Sequence, residues 1–232
     1  MGRTRMKTLV LLAGVLVNCS VGSVRTAGQT HDQKHDQKNG LPDVLSATEI
    51  TYPANTTAAG MVSFLLTFEA DGIAKNSQIL QDIPPLTAAA QEGMKNWTFK
   101  AGTLHGKTVQ SLLPVYVVFN PCNPAGTAPV GGGLSTPRPL SPRGWATFPP
   151  QVRMASCAIC PANSLAMGTV VLSVHINRSG HASDMRVVHG VRPLAEAAVE
   201  EVKQWGFQPS RSGDAPVEGR ICIAFVFQTS PS

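Results

Sequence analysis

Cys157-Ala158-Ile159-Cys160 combines the residue types and the spacing best suited to chemistry. Two thiols two residues apart can serve as a redox dithiol, as half of a tetrahedral zinc site, or as a structural disulfide. A redox pair of this kind opens a helix directly after a strand, whereas this one lies between Phe148-Pro149 and the apolar run that starts near Val170. Zinc needs a second pair of ligands. Cys122, Cys222, His175, His181 and His189 are present, but none has a fitting local spacing. In an oxidising compartment the plainest use is a disulfide, which makes Cys157 and Cys160 disulfide candidates, bonded to each other or to Cys122, with metal, redox and free-thiol uses as the alternatives. His31 and His35 stand at i, i+4, a spacing that would set two imidazoles side by side on a helix. Their setting, the doubled tetrapeptide HDQKHDQK, reads instead as a solvated tether. No Ser-His-Asp set or carboxylate pair is evident, so the expectation is a non-enzyme with no cofactor and no metal.

The elements around these residues are stated twice. TyrProAlaAsn at 52–55 and CysProAlaAsn at 160–163 are 108 positions apart, and that shift aligns residues 52–120 with 160–228 without a gap. Gly60 meets Gly168, Gly72 meets Gly180, Pro85-Leu86 meets Pro193-Leu194, and Val118-Phe119 meets Val226-Phe227. Trp97 and Phe99 meet Trp205 and Phe207. Two copies of one small domain follow from this alignment.

Each copy changes its period along the chain. Val62, Phe64, Leu66 and Phe68 alternate with other residues, as do Val170, Leu172, Val174 and Ile176, which predicts a strand with one buried face. Gly72 and Gly180 suit a tight turn into a second, weaker strand. After Pro85 or Pro193 the spacing becomes helical through Leu86, Ala89, Ala90, Met94 and Trp97, or Leu194, Ala197, Ala198, Val202 and Trp205. A last alternating run ends each copy. The predicted fold class is α+β: two tandem β-β-α-β units, each a three-stranded antiparallel sheet of order 2-1-3 with one helix on one face. Trp97, Phe99, Trp205 and Phe207 are expected to anchor the cores. The opposite sheet faces remain partly apolar at Leu65, Leu112, Tyr116 and Val118, and at Val171, Ala224 and Val226, so the repeats should pack on each other or on a second chain.

Composition fits two modest globular units, with 43% hydrophobic and 14% charged residues. Residues 1–23 read as a signal peptide or short membrane anchor, since Arg3, Arg5 and Lys7 precede an apolar run from Leu9 to Val17. Leu16-Val17-Asn18-Cys19 adds a lipid anchor to the alternatives. Residues 24–46 form a polar tether, 47–120 the first repeat, 121–147 a Pro/Gly-rich linker and 148–228 the second repeat. The formal charge of +5 owes three basic residues to the leader. No clustered basic face remains, which argues against nucleic acid as a partner.

The second copy carries the pattern of a known module: Gly168-Thr169-Val170-Val171-Leu172-Ser173-Val174, Gly180, Trp205-Gly206-Phe207-Gln208-Pro209 and Phe225-Val226-Phe227. With Tyr52-Pro53, Trp97-Thr98-Phe99 and Val117-Val118-Phe119 in the first copy, the chain resembles the C-terminal domain of TonB energy transducers. That resemblance implies a periplasmic or envelope-associated protein in TonB-dependent transport. It further implies a partner peptide from an outer-membrane receptor, or another envelope protein, added to the final strand by β-augmentation. Pro114 interrupts the last strand of copy one, so the expected binding edge is that of copy two: Arg220, Ile221, Cys222, Ile223, Ala224, Phe225, Val226, Phe227 and Gln228. A tether of about 25 residues reaches only roughly 80 Å, which keeps a non-transducing envelope adaptor as the alternative. A thiol-disulfide or metal-binding protein using Cys157 and Cys160 is the lesser one.

Overall fold

Nine-residue strands form where the apolar alternation is strongest. The computed structural model describes residues 39–54, 56–119, 148–155 and 167–228. In its first half, β1 (Asp43–Ser46), β2 (Gly60–Phe68), β3 (Ala74–Gln81) and α1 (Pro84–Met94) lead into β4 (Thr98–Lys100), β5 (Thr103–Leu104), β6 (Lys107–Thr108) and β7 (Ser111–Phe119). In its second half, β8 (Gln151–Met154), β9 (Gly168–Ile176), β10 (Ala182–His189) and α2 (Arg192–Val202) lead into β11 (Gly206–Gln208), β12 (Ser210–Ser212), β13 (Ala215–Val217) and β14 (Gly219–Phe227). The class is α+β.

The six long strands make one sheet of order β10-β9-β14-β7-β2-β3. This corrects the expectation of separate three-stranded sheets. Within each half the first long strand is central and both its neighbours are antiparallel, as the 2-1-3 order requires. The halves then join edge to edge, because β14 pairs with β7 in parallel, from Cys222 beside Val115 to Val226 beside Phe119. The short strands pair separately: β1 with β4, β8 with β11, β5 with β6 and β12 with β13.

Turn geometry accounts for the long antiparallel pairs. Gly72 and Gly180 take φ of 83° and 79°, in the left-handed region that glycine enters at little cost. At Gly180 a Cβ would also lie 2.5 Å from the carbonyl oxygen of Phe207. Both helices begin with proline in the first turn and end before the tryptophans, with Trp97 N–H bonded to Met94 O and Trp205 N–H to Val202 O. The helical spacing read through Trp97 and Trp205 therefore overran the helices by one short turn.

Two cores lie on opposite faces of the sheet. Along β14, Ile221, Ile223, Phe225 and Phe227 enter the core under α2, with Leu194, Ala198, Val202, Trp205 and Phe207. Cys222, Ala224 and Val226 point the other way, into the core under α1, with Leu86, Ala90 and Trp97. Each half also lends residues to the other's core: Met61, Tyr116 and Val118 lie under α2, and Val171 lies under α1. Strands β2, β7, β9 and β14 are consequently buried on both faces along nearly their whole length, where period two alone implied one buried face. Phe99 packs at the margin of the α1 core, with its ring 6.3 Å from those of Phe68 and Trp97.

Candidate functional site: the sheet seam and its free edges

The residues expected to form the binding edge lie at the centre of the sheet. Gly219–Phe227 pairs with β9 on one side, and Cys222–Val226 pairs with β7 on the other. Ile221 through Phe227 are buried, Arg220 is half-buried, and only Gln228 is exposed. The exposed-edge expectation is thus overturned: the backbone groups that would receive a peptide already receive β7. Pro114 does not prevent this, since the parallel ladder begins at Val115, one residue beyond it. Lacking a donor, proline is tolerated at the end of a ladder.

The free edges are β3 and β10. Along β3, Ala74 through Ile79 are all exposed, and Lys75 is held by Asp71 at 2.7 Å. Both edges contain register shifts against their neighbours, β3 with β2 and β10 with β9, a common way of blunting an open edge. Beside β10, a groove of about 340 Å³ runs against α2, with Val187, Ala195 and Val199 among its lining residues.

A polar cluster fastens β1 of the first half to β9, β10 and β14 on the α1 face. Asp43 of β1, only 6% exposed, accepts the Ser173 hydroxyl at 2.5 Å and Arg186 Nη2 at 3.0 Å. Arg186 also donates to the carbonyl of Val44 at 2.7 Å. Arg220 Nη1 donates to Ser173 Oγ at 2.7 Å and lies 3.8 Å from Asp43. This carboxylate faces two guanidiniums and a hydroxyl, the pairing that a buried charge requires. Beside it opens a cleft of about 780 Å³, lined by charges of both signs that include Lys100, Arg178, Asp184 and Glu218.

A second clasp lies at the start of β9. Glu49 Oε2 accepts Thr169 N–H at 2.6 Å, Glu49 Oε1 meets His189 Nε2 at 2.9 Å, and Ile50 N–H donates to Thr169 Oγ1 at 2.8 Å. Burial alone would raise the Glu49 carboxyl, but the hydrogen bonds from His189 and Thr169 and the charge on His189 outweigh it and hold the pKa below the usual value. On the other face the Tyr116 hydroxyl accepts Val152 N–H at 3.2 Å, and burial pushes that phenol up to about 12. Cys222 is a fully buried free thiol whose pKa burial raises strongly, an inert rather than a reactive setting.

Trp205 and Trp97 are each 6% exposed, one in each core. Trp97 Nε1 donates to Thr48 O at 3.1 Å, whereas Trp205 Nε1 is buried without a partner among the described residues. Cys157 and Cys160 lie outside the described residues, as do Cys122, His31, His35, the leader and the linker. Among the described residues no group of three His, Cys, Asp or Glu side chains is placed to hold a metal, and no helix is long and apolar enough to cross a membrane. Sequence reasoning missed Glu49 and Arg186 and named His189 only as a metal ligand without a fitting spacing. It placed Asp43 in the polar tether of residues 24–46, whose last four residues are instead the strand β1, paired with β4 and with Val44 buried in the α1 core. Its one available signal was that Ser173 and Arg220 stand where the 108-residue shift has Leu65 and Leu112.

Within the second half, β9 through β14 fall in residues 164–229, which match the family model described as the Gram-negative bacterial TonB protein C-terminal. The protein tonB2 of Pseudomonas aeruginosa is 38% identical over 63 residues, covering 26% of this chain and 23% of that protein. The chain therefore spans under a quarter of that relative's length. No solved structure matches the chain.

Proposed function

We propose that this chain is a TonB-like envelope protein made of two copies of one unit, which holds an extended segment of an outer-membrane receptor or another envelope protein by strand addition in TonB-dependent transport. The family match across β9–β14 is the observation that carries the reading. The duplication is supported by element boundaries: β1, β2, β3, α1, β4 and β7 recur 108 residues later as β8, β9, β10, α2, β11 and β14, residue for residue. A two-fold relation along the strands explains the seam. It turns opposite faces of the two copies to the same side, so the corresponding residues Val115 and Ile223 belong to different cores. A one-residue stagger then sets Val115 beside Cys222 and keeps side chains of one face together. In this reading the two final strands close each other, and the partner adds to β3 or β10 instead. Backbone hydrogen bonds at those edges supply affinity and alternate side chains supply selectivity.

The test is site-specific photo-crosslinking in a Gram-negative envelope, with the crosslinker placed in turn on β3, β10 and an exposed position of α1. Adducts to the extended segment of a β-barrel receptor from an edge strand, and not from α1, are expected. Receptor adducts from α1 alone would sink strand addition. Adducts only to soluble envelope proteins would turn the reading to the adaptor.

A further inference from the structure

From the groove beside β10 we infer which edge is used and what it selects: β10 with α2 forms a docking site for an extended segment bearing an apolar residue and, two positions on, Lys or Arg. This rests on the strand-addition reading and chooses between its two edges. Val187 pairs with Leu172 of the α2 core, so its side chain leans to the α2 side, yet it remains 43% exposed. Together with Ala195 and Val199 it lines the groove. Alternate side chains of a strand added to β10 would point into this groove, because side chains two apart share a face. An apolar one would cover Val187 and Val199.

Charge decides the next position. Glu196 and Glu200 both line the groove against a single cation, Arg192. Glu200 is occupied by Lys203 at 2.5 Å, while Glu196 has no ion-pair partner among the described residues. The carboxylate left over beside this apolar lining favours a basic residue two positions along the incoming strand. The charges on the other face of β10 are already matched, Arg186 with Asp43 and Asp184 with Arg220. The opposite edge keeps an exposed apolar residue, Ile79, in the place of Val187, but the helix beside it carries different side chains. At the positions that the 108-residue shift assigns, Thr87 stands for Ala195, Gln91 for Val199 and Ala88 for Glu196. The Thr87 hydroxyl is itself turned back to Ile83.

The probe is a blocked hexapeptide, Thr-Val-Thr-Lys-Thr-Val, added at millimolar concentration to the full chain while backbone amide exchange is followed by NMR. Protection of β10 amides is expected. Exchanging the peptide's Lys for Glu should weaken binding about fivefold, and Glu196→Lys, an exposed helical change that leaves the fold intact, should reverse that preference. Protection of β3 amides would overturn this inference and leave strand addition standing. Protection at neither edge would overturn both. Concentration-dependent protection of β10 without peptide would assign the edge to a second copy of the chain, and a Lys/Glu ratio unchanged in Glu196→Lys would remove the charge selection.

Discussion

Cys222 sits beside Val115 in the parallel ladder that joins the halves, and both side chains enter the core under α1. This contact ties the strand that ends one half to the strand that ends the other. Its surroundings are closed on both faces and both edges, which gives the seam the character of a domain interior.

A proline within β14 should therefore unfold the protein instead of silencing a binding edge. Ala224 pairs with Val171 on one side and Val117 on the other. Ala224→Pro removes a ladder hydrogen bond from a central strand where proline is not tolerated, and is expected to show as a lowered urea midpoint together with loss of the buried-tryptophan emission. A folded variant that has lost only partner binding would mean that β14 is free in solution.

The halves should not be independent. Residues 39–119 alone would expose Tyr116 and Val118, and residues 148–228 alone would expose Val171, Ala224 and Val226, all buried in the whole chain. Each expressed singly is expected to self-associate or precipitate, while the two together should form a one-to-one complex by sedimentation. Monomeric halves as stable as the intact chain would contradict the shared sheet.

Asp43→Leu should be strongly destabilising, by about 3 kcal/mol, because Arg186 and Arg220 lose the carboxylate they share. Adding Arg220→Leu, the residue type that the first half carries at Leu112, should recover part of the loss. Denaturant titration of the single and double variants measures this directly. Equal loss in both would show that Asp43 acts through packing alone.

Stability should fall in acid through Glu49. Its carboxyl is held below its ordinary value of 4.5 in the folded state, so its contribution is present above pH 4.5 and is lost as pH drops from there through the lowered folded value. Its side chain is 58% exposed, which keeps the effect small. Thermal midpoints of the wild type and Glu49→Gln should differ at neutral pH and converge below that window. A constant gap across pH would exclude the clasp.

The element order was legible from residues. Val62, Phe64, Leu66 and Phe68 lie on one face of β2, Gly72 and Gly180 make the turns, and proline opens both helices, because period and φ are local properties that a short stretch states by itself. The tryptophans were readable as core for the same reason. Their helix was overrun because the i, i+3 spacing continues through the turn that releases each one, and spacing does not register where i, i+4 hydrogen bonds stop.

What the sequence determined by itself, then, was the unit, its repetition and the apolar character of both faces of its central strands. Tertiary structure decided what those faces and edges meet. Tyr116, Val118, Val171 and Ala224 announced that something covers them, but not that it is the other half's core. The unpaired backbone of a final strand is nearly the same ladder whatever its side chains, and it bonds to a partner's peptide or to β7 with equal chemistry. Only a register formed between residues more than a hundred positions apart selected Val115 for Cys222, leaving β3 and β10 as the edges that remain open.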